Sequence, residues 1–323
     1  MPAITVDNPL VLPRLARPDA TTATVRAVDR VIPARTTMEG AGFLVHRPFP
    51  QGADLHATDP FLLLDQMGPV VYGPREAKGA PWHPHRGFET VTYLMDGEMV
   101  HHDSNGGGGT IGEGATQWMT AGAGILHDET PSERVYESGG RFHGVQLWVN
   151  LPAAQKWVPP RYQLIEATEL TLLASSDGGA FVRLIAGDLD GHAGPGSTYT
   201  PITYAHATLN PGAELQAKWR PDFSAMVYVL GGQGYVGPEN RPVSDQDLAV
   251  LGAGDAVTLR AADHIEGETD TLEVLLLGGL PIREPIAHYG PFVMNTRAEI
   301  EQAIDDFNHG RMGTIPAVDL GSA

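Results

Sequence analysis

Two short segments of this 323-residue chain carry ligand-type side chains at a usable spacing: His83-Pro84-His85 and His127-Asp128-Glu129. In each, two such side chains stand at i and i+2, which in an extended chain places both on one face. Two such pairs on neighbouring barrel strands would converge on one point. Three neutral imidazoles and one carboxylate suit a borderline divalent metal and leave coordination positions open for substrate and oxygen. Satisfied structural histidines use the same residue types, and the spacing alone leaves both readings open. The chain has no cysteine. A metal site must therefore be built from His, Asp, Glu and water, which suits Fe, Mn, Ni, Cu or Zn.

The elements that must position these pairs read as short antiparallel strands. Residues 88–95 (FETVTYLM) form a strand candidate, followed by Asp96-Gly97 and a second run over 98–104. Asp-Gly between two such runs is a strong hairpin signal, because a type I′ turn needs positive φ. Gly106 to Gly109 makes another reversal; with no Lys-Ser/Thr and no helix after it, it is a turn rather than a phosphate loop. Strands over 115–120 and 125–129 follow. After a proline-rich stretch at 151–161, read as a linker, the pattern begins again: 224–230, Gly231-Gly232 and 233–237 repeat the earlier strand, turn and strand. Tyr228 then lies over Tyr93 and Gly232 over Gly97 at one offset of 135 residues. The sequence thus predicts an all-β chain of two tandem antiparallel barrels. The expected divisions are an irregular arm at 1–25, a metal-binding barrel at 26–158, a degenerate barrel at 159–290, and a terminal helix and tail at 291–323. Ile300, Ala303, Ile304 and Phe307 follow one helical face, Thr296 and Glu299 have capping-box spacing, and Gly310 is a stop.

The bulk composition agrees. Glycine (39) and proline (26) are abundant enough to favour many strands joined by tight turns over long helices. A formal charge of −18 and a pI near 5.0 repel phosphate backbones, so no direct nucleic-acid partner is expected. Pro9, Pro13 and Pro18 interrupt the N-terminal stretch, which reads as neither signal peptide nor membrane span, and a cytoplasmic protein is expected.

From Asp59 through Pro152 the chain resembles the pirin family of bicupins, in the blocks DPFLLLDQMGP, HPHRGFETVTYLMDGE, HHDSNGGGG, QWMTAGAGILHDE and FHGVQLWVNLP. The tail GPFVMNTRAEIEQAIDDFNHG is also similar, while residues 160–285 match more loosely. The resemblance implies two cupin barrels and one metal ion, most often iron as Fe(II), held by His83, His85, His127 and Glu129. In many other cupins the glutamate after His-x-His, here Glu89, is itself a ligand; the pirin match prefers Glu129 and leaves Glu89 outside the coordination shell. At the 135-residue offset His83 and His85 become Lys218 and Arg220, which cannot ligate a metal while charged. His264 has no partner, so the second barrel is expected to bind no metal. His101 and His102 sit on opposite faces of a strand and are read as structural. His46, His56, His143, His192, His206, His288 and His309 have no ligand-spaced partner and are read as surface or satisfied residues.

Some pirins are similar to quercetin 2,3-dioxygenases, which cleave a flavonol with O2 and release carbon monoxide. The resemblance therefore implies a small aromatic substrate, O2, and Glu129 as a base beside the metal. Phe88, Trp118, Met119 and Phe142 are candidates for the apolar lining, with ordinary core packing as the alternative. Other pirins resemble metal- or redox-responsive partners of transcription factors or metabolic enzymes, with no turnover. For such a role the acidic surface favours a basic protein partner. A metal-dependent isomerase or hydrolase is a third reading, for which the sequence offers no further constellation.

Overall fold

The computed structural model describes residue 8 and residues 11–50 and 54–315. Most of the expected arm's first residues, and the tail beyond 315, lie outside this range. Between 11 and 25 the chain forms no strand and touches the second half through bridges such as Arg14 to Ala174.

The two halves repeat one plan. The first has a seven-stranded antiparallel sheet in the order Arg161–Ile165, Thr116–Thr120, Phe88–Asp96, Gly140–Asn150, Phe61–Tyr72, Phe43–Phe49, Arg35–Glu39. The second has Val28–Pro33, Asp247–Leu251, Met226–Gly231, Leu272–Gly279, Ile202–Leu209, Ala180–Ala186, Thr171–Ala174 in matching places. Each large sheet is closed into a barrel by a four-stranded one: Ala80–His85, Ile125–Pro131, Met99–Asp103, Gly108–Ile111 in the first half. In the second the order is Glu214–Lys218, Ala256–Ala261, Gly234–Val236, Arg241–Val243. These are two tandem cupin barrels. The Asp96-Gly97 and Gly231-Gly232 corners end corresponding strands of the two halves, with Gly97 and Gly232 at φ +96° and +88°, where a Cβ is disfavoured.

Two pairings depart from the expected divisions. Val28–Pro33, expected in the first barrel, hydrogen-bonds to Asp247–Leu251 of the second, and Arg161–Ile165, expected in the second, hydrogen-bonds to Thr116–Thr120 of the first. Each barrel therefore takes its edge strand from the segment preceding the other. The partners lie far apart in sequence, so local patterning carries no sign of this exchange.

The large sheets face each other across one shared core in which Val91, Tyr93, Trp118 and Leu147 meet Tyr204, Tyr228, Leu275 and Leu277. Two buried hydrogen-bond chains cross it in equivalent positions. Tyr93 Oη bonds His206 Nδ1 (2.9 Å), and His206 Nε2 bonds Glu273 (2.8 Å). Tyr228 Oη donates to Gln66 Oε1 (2.7 Å), and Gln66 Nε2 donates to His143 Nε2 (2.9 Å). Buried phenols need such partners, and here they also fix how the barrels dock.

Within the described residues there are short helices at Leu55–Thr58 and Glu133–Ser138, and none is long and apolar enough to cross a membrane. The terminal helix spans Arg297–Asn308 with the Thr296–Glu299 capping box formed. Its buried face differs from the predicted one. Ile300 and Ala303 are buried, but Phe307 is 41% exposed and Asp306 is buried instead. The cause is electrostatic: Asp306 receives Arg86 Nη1 at 2.7 Å and Arg311 Nε at 2.6 Å, which turns that side of the helix inward.

Candidate metal centre

The strand Ala80–His85 lies against Ile125–Pro131 with His83 opposite His127. One extra residue interrupts the register between the His127 and Glu129 pairings. The bulge falls at Pro81 and Trp82, where the missing proline N–H costs nothing, and it re-aims the strand. The Pro81 carbonyl accepts from His83 Nδ1 (2.8 Å), and the Pro291 carbonyl from His85 Nδ1 (3.3 Å). A carbonyl only accepts, so both protons sit on Nδ1 and both Nε2 lone pairs are free. These two Nε2 atoms lie 3.1 Å apart, and His127 Nε2, fully buried, has no hydrogen-bond partner. Donor atoms of His83, His85 and His127 all fall within 4.8 Å of one another.

Facing lone pairs repel unless a cation lies between them. Two ligands at right angles and ~2.1 Å from one ion stand ~3 Å apart, as these do. Burial, then the neighbouring imidazoles, hold His85 and His127 well below the ordinary histidine value, so both are neutral and available as ligands. The donor set fits a divalent ion.

Glu129 groups with His127 and His101 rather than with the other two histidines. Its Oε1 accepts from Thr92 Oγ1 (2.8 Å) and Gln117 Nε2 (3.0 Å), and its Oε2 from Gln146 Nε2 (2.8 Å). Trp148 Nε1 in turn donates to Gln146 (3.3 Å), fixing that amide.

Glu89 lies elsewhere. Gly87, at φ +91° and with space for no Cβ beside the Val293 carbonyl, ends the run of His85 and restarts the strand at Phe88. Parity with His85 is thereby lost, and Glu89 turns away from the centre, where Thr120 of the neighbouring strand (2.7 Å) and Thr198 of the second half (2.5 Å) donate to it. Burial pushes its carboxyl above the usual range.

A cavity of about 560 Å³ opens on His83, His85 and Glu129, walled by Trp82, Trp148, Phe142, Tyr72, Phe43 and Met67. Of the four residues proposed from sequence as lining, only Phe142 faces it. Phe88 packs behind Trp148 (ring centroids 4.3 Å), Trp118 belongs to the core between the barrels, and Met119 packs with Ala121 and Ile125. Trp148 could have been found from the sequence: Phe142, Gln146 and Trp148 share strand parity. His288 and Pro291, from the segment before the terminal helix, complete the mouth. That segment is pinned by Lys156, which is 1% exposed and donates to the carbonyls of Gly87 (2.8 Å) and Val293 (2.9 Å) and to Asn150 Oδ1 (2.8 Å).

His101, read from sequence as structural, is fully buried against the centre, with Nδ1 3.3 Å from His127 Nδ1. His102 points outward to Asp128. In the sequence, His101 and Asp103 form an i, i+2 pair of ligand-type residues.

In the second barrel Lys218 pairs with Asp190 and Arg220 with Asp222, both at the surface. Ala256 stands opposite Lys218, the place His127 takes opposite His83. His264 is exposed. Leu215, Trp219, Phe223, Val257 and Leu259 fill the interior that the first barrel leaves open.

Residues 42–149 match the Pirin family and residues 204–313 the Pirin C-terminal cupin domain. A pirin-like protein of Arabidopsis thaliana is 41% identical over 293 residues, covering 89% of this chain and 90% of its own. Human pirin is 39% identical over 283 residues (87% and 91%). The crystal structure of a quercetin 2,3-dioxygenase from Acinetobacter baumannii aligns with a TM-score of 0.83 and 39% identity, over 91% of this chain and 100% of that one. With both barrels matched in order and relatives aligned along nearly their whole length, the chain belongs to the pirin family.

Proposed function

We propose that the chain is a mononuclear non-haem metal protein that uses O2 to open a flavonol or a related enediol, in the manner of quercetin 2,3-dioxygenase. In this reading His83, His85, His127 and Glu129 hold one Fe(II). The observation that carries it is the aromatic-walled cavity of about 560 Å³ that opens on His83, His85 and Glu129, with the unpartnered Nε2 of buried His127 grouped with the first two. Its size lies within the range of small-molecule sites, and the 39% identity to a protein described as a quercetin 2,3-dioxygenase supports the substrate class.

When bound, the ion supplies Lewis acidity that lowers the pKa of a substrate hydroxyl. The chain does the rest. Trp82, Trp148 and Phe142 bind and orient a flat ring and exclude water. Glu129 accepts the hydroxyl proton, while Thr92, Gln117 and Gln146 hold its carboxylate in place before substrate arrives.

The test is O2 uptake and carbon monoxide release by iron-loaded protein with quercetin. Wild type should consume O2 with the flavonol, and Glu129→Gln should not. Equal rates for the two proteins would remove Glu129 from the mechanism, and no uptake by wild type with any flavonol or enediol would overturn the activity.

A further inference from the structure

The metal reading assigns no work to Asp103 and His101, yet the two form a buried line that ends on His127. His101 is 0% exposed and lies flat against Tyr162, ring centroids 4.9 Å apart and planes at 18°. Its Nε2 faces Asp103 Oδ2 at 3.5 Å, longer than a hydrogen bond, and has no other partner. Its Nδ1 meets His127 Nδ1 at 3.3 Å. Asp103 is fixed in turn, since its Oδ1 accepts from the amides of Asn105 (2.7 Å) and Gly107 (2.9 Å). A Cβ on Gly107 would strike Asp103 Oδ2 and Tyr162, so the line is packed on every side the turn reaches.

Two ring nitrogens facing each other share one proton, and the question is which ring donates it. A carboxylate at one end settles the matter electrostatically: the His101 proton lies on Nε2, toward the anion, leaving Nδ1 as acceptor. His127 then donates from Nδ1 and presents its Nε2 lone pair toward His83 and His85. Glu129 does not compete, because its oxygens are engaged by Thr92, Gln117 and Gln146.

We infer that Asp103 and His101 are positioning residues that fix the tautomer of His127 so that its Nε2 can ligate the metal. The inference rests on the metal reading. A carboxylate–imidazole–imidazole line extends the usual arrangement, in which one carboxylate or carbonyl orients a ligating histidine.

Asp103→Asn tests this with little disturbance. The asparagine keeps Oδ1 for the two turn amides but turns Nδ2–H toward His101. The His101 proton is driven to Nδ1, the His127 proton to Nε2, and the ligand atom is blocked. Ni(II) binding to metal-stripped protein, followed by calorimetry, should weaken about 10–100-fold, the usual cost of losing an outer partner. His101→Gln can accept from His127 Nδ1 through its amide oxygen whatever stands at 103, so it should bind Ni(II) nearly as wild type does. His101→Ala, with no acceptor, should not. In the His101→Gln background the added cost of Asp103→Asn should shrink to less than about 3-fold, the non-additivity expected of one coupled line. Equal Ni(II) affinity for wild type and Asp103→Asn, or an undiminished cost in the His101→Gln background, would overturn the relay. Should Asp103→Asn fail to fold, the contrast between His101→Gln and His101→Ala decides alone, and equal affinities for these two sink the inference. A His83→Ala control keeps the two readings apart. If it binds Ni(II) as tightly as wild type, the metal reading fails and takes the relay with it; if it does not, a negative result at 103 refutes the relay only.

Discussion

Lys156→Met replaces a buried ammonium by an apolar side chain of similar length and leaves three oxygens behind: Gly87 O, Asn150 Oδ1 and Val293 O. Each buried acceptor stripped of its donor costs about 1–3 kcal/mol. Relief of the ammonium's own desolvation offsets part of this, so about 1 kcal/mol per oxygen is the appropriate scale, or about 3 kcal/mol in all. For a chain of this length that corresponds to a fall of about 6 °C in Tm, at about 2 °C per kcal/mol. Burial pushes the amine down to about 7, whereas three acceptors match the three donors of the protonated form. Urea unfolding is read at pH 6, below that value, where the amine is protonated. The loss should be concentrated where Val293 and Pro291 lean on the metal centre. Amide hydrogen exchange should therefore rise over residues 286–294 before it rises in either barrel. A variant within 0.5 kcal/mol of wild type, the usual scatter of a neutral surface change, with unchanged exchange in that segment, would refute the claim that Lys156 pins it.

Other expectations concern the site and the interface. His83→Ala should remove bound metal, as read by metal analysis after anaerobic loading, and His264→Ala should leave it in place. Glu89→Gln should also keep the metal. Because burial raises the Glu89 carboxyl, its folded form binds a proton more readily than the unfolded one, and wild-type stability falls as pH rises through that raised value. Chemical denaturation at pH 7 should find Glu89→Gln no less stable than wild type, and a clear loss would contradict this. Burial pushes His143 down to about 3, so the folded protein holds fewer protons than the unfolded chain between that value and the ordinary 6.5. Its contribution is full above 6.5 and declines toward acid. At pH 5 the loss should be about 2 kcal/mol, at 1.36 kcal/mol per unit. His143→Gln should lack that part of the pH dependence; parallel curves for the two proteins would refute it.

The His-x-His and His-x-Glu pairs were legible because strand alternation is a local rule and both segments stay extended. The rule failed wherever something outside the segment intervened. Gly87 resets the alternation, which put Glu89 and Phe88 on faces that counting from His85 could not give. Asp306 takes the interior in place of Phe307 because it meets the buried Arg86, 220 positions away. His101 is hidden from the sequence because alternation says only that one of His101 and His102 faces inward, and the imidazole it meets, His127, is 26 positions away. The strand exchange was the least accessible feature, since strand edges are matched by partners that no window of sequence contains together.

That exchange has a consequence for descent. Two copies of one barrel that trade their leading strands make a domain-swapped homodimer, and joining the copies end to end would leave the arrangement seen here, with Val28–Pro33 in the distal barrel and Arg161–Ile165 in the proximal one. A pair born in this way cannot be separated into free-standing modules, because either half alone would expose an unpaired sheet edge and the apolar wall between the barrels. It can, however, divide its labour. The first barrel carries the ligand residues, and the second, its interior closed by Trp219 and Phe223, is the permanent cover for the wall the two share.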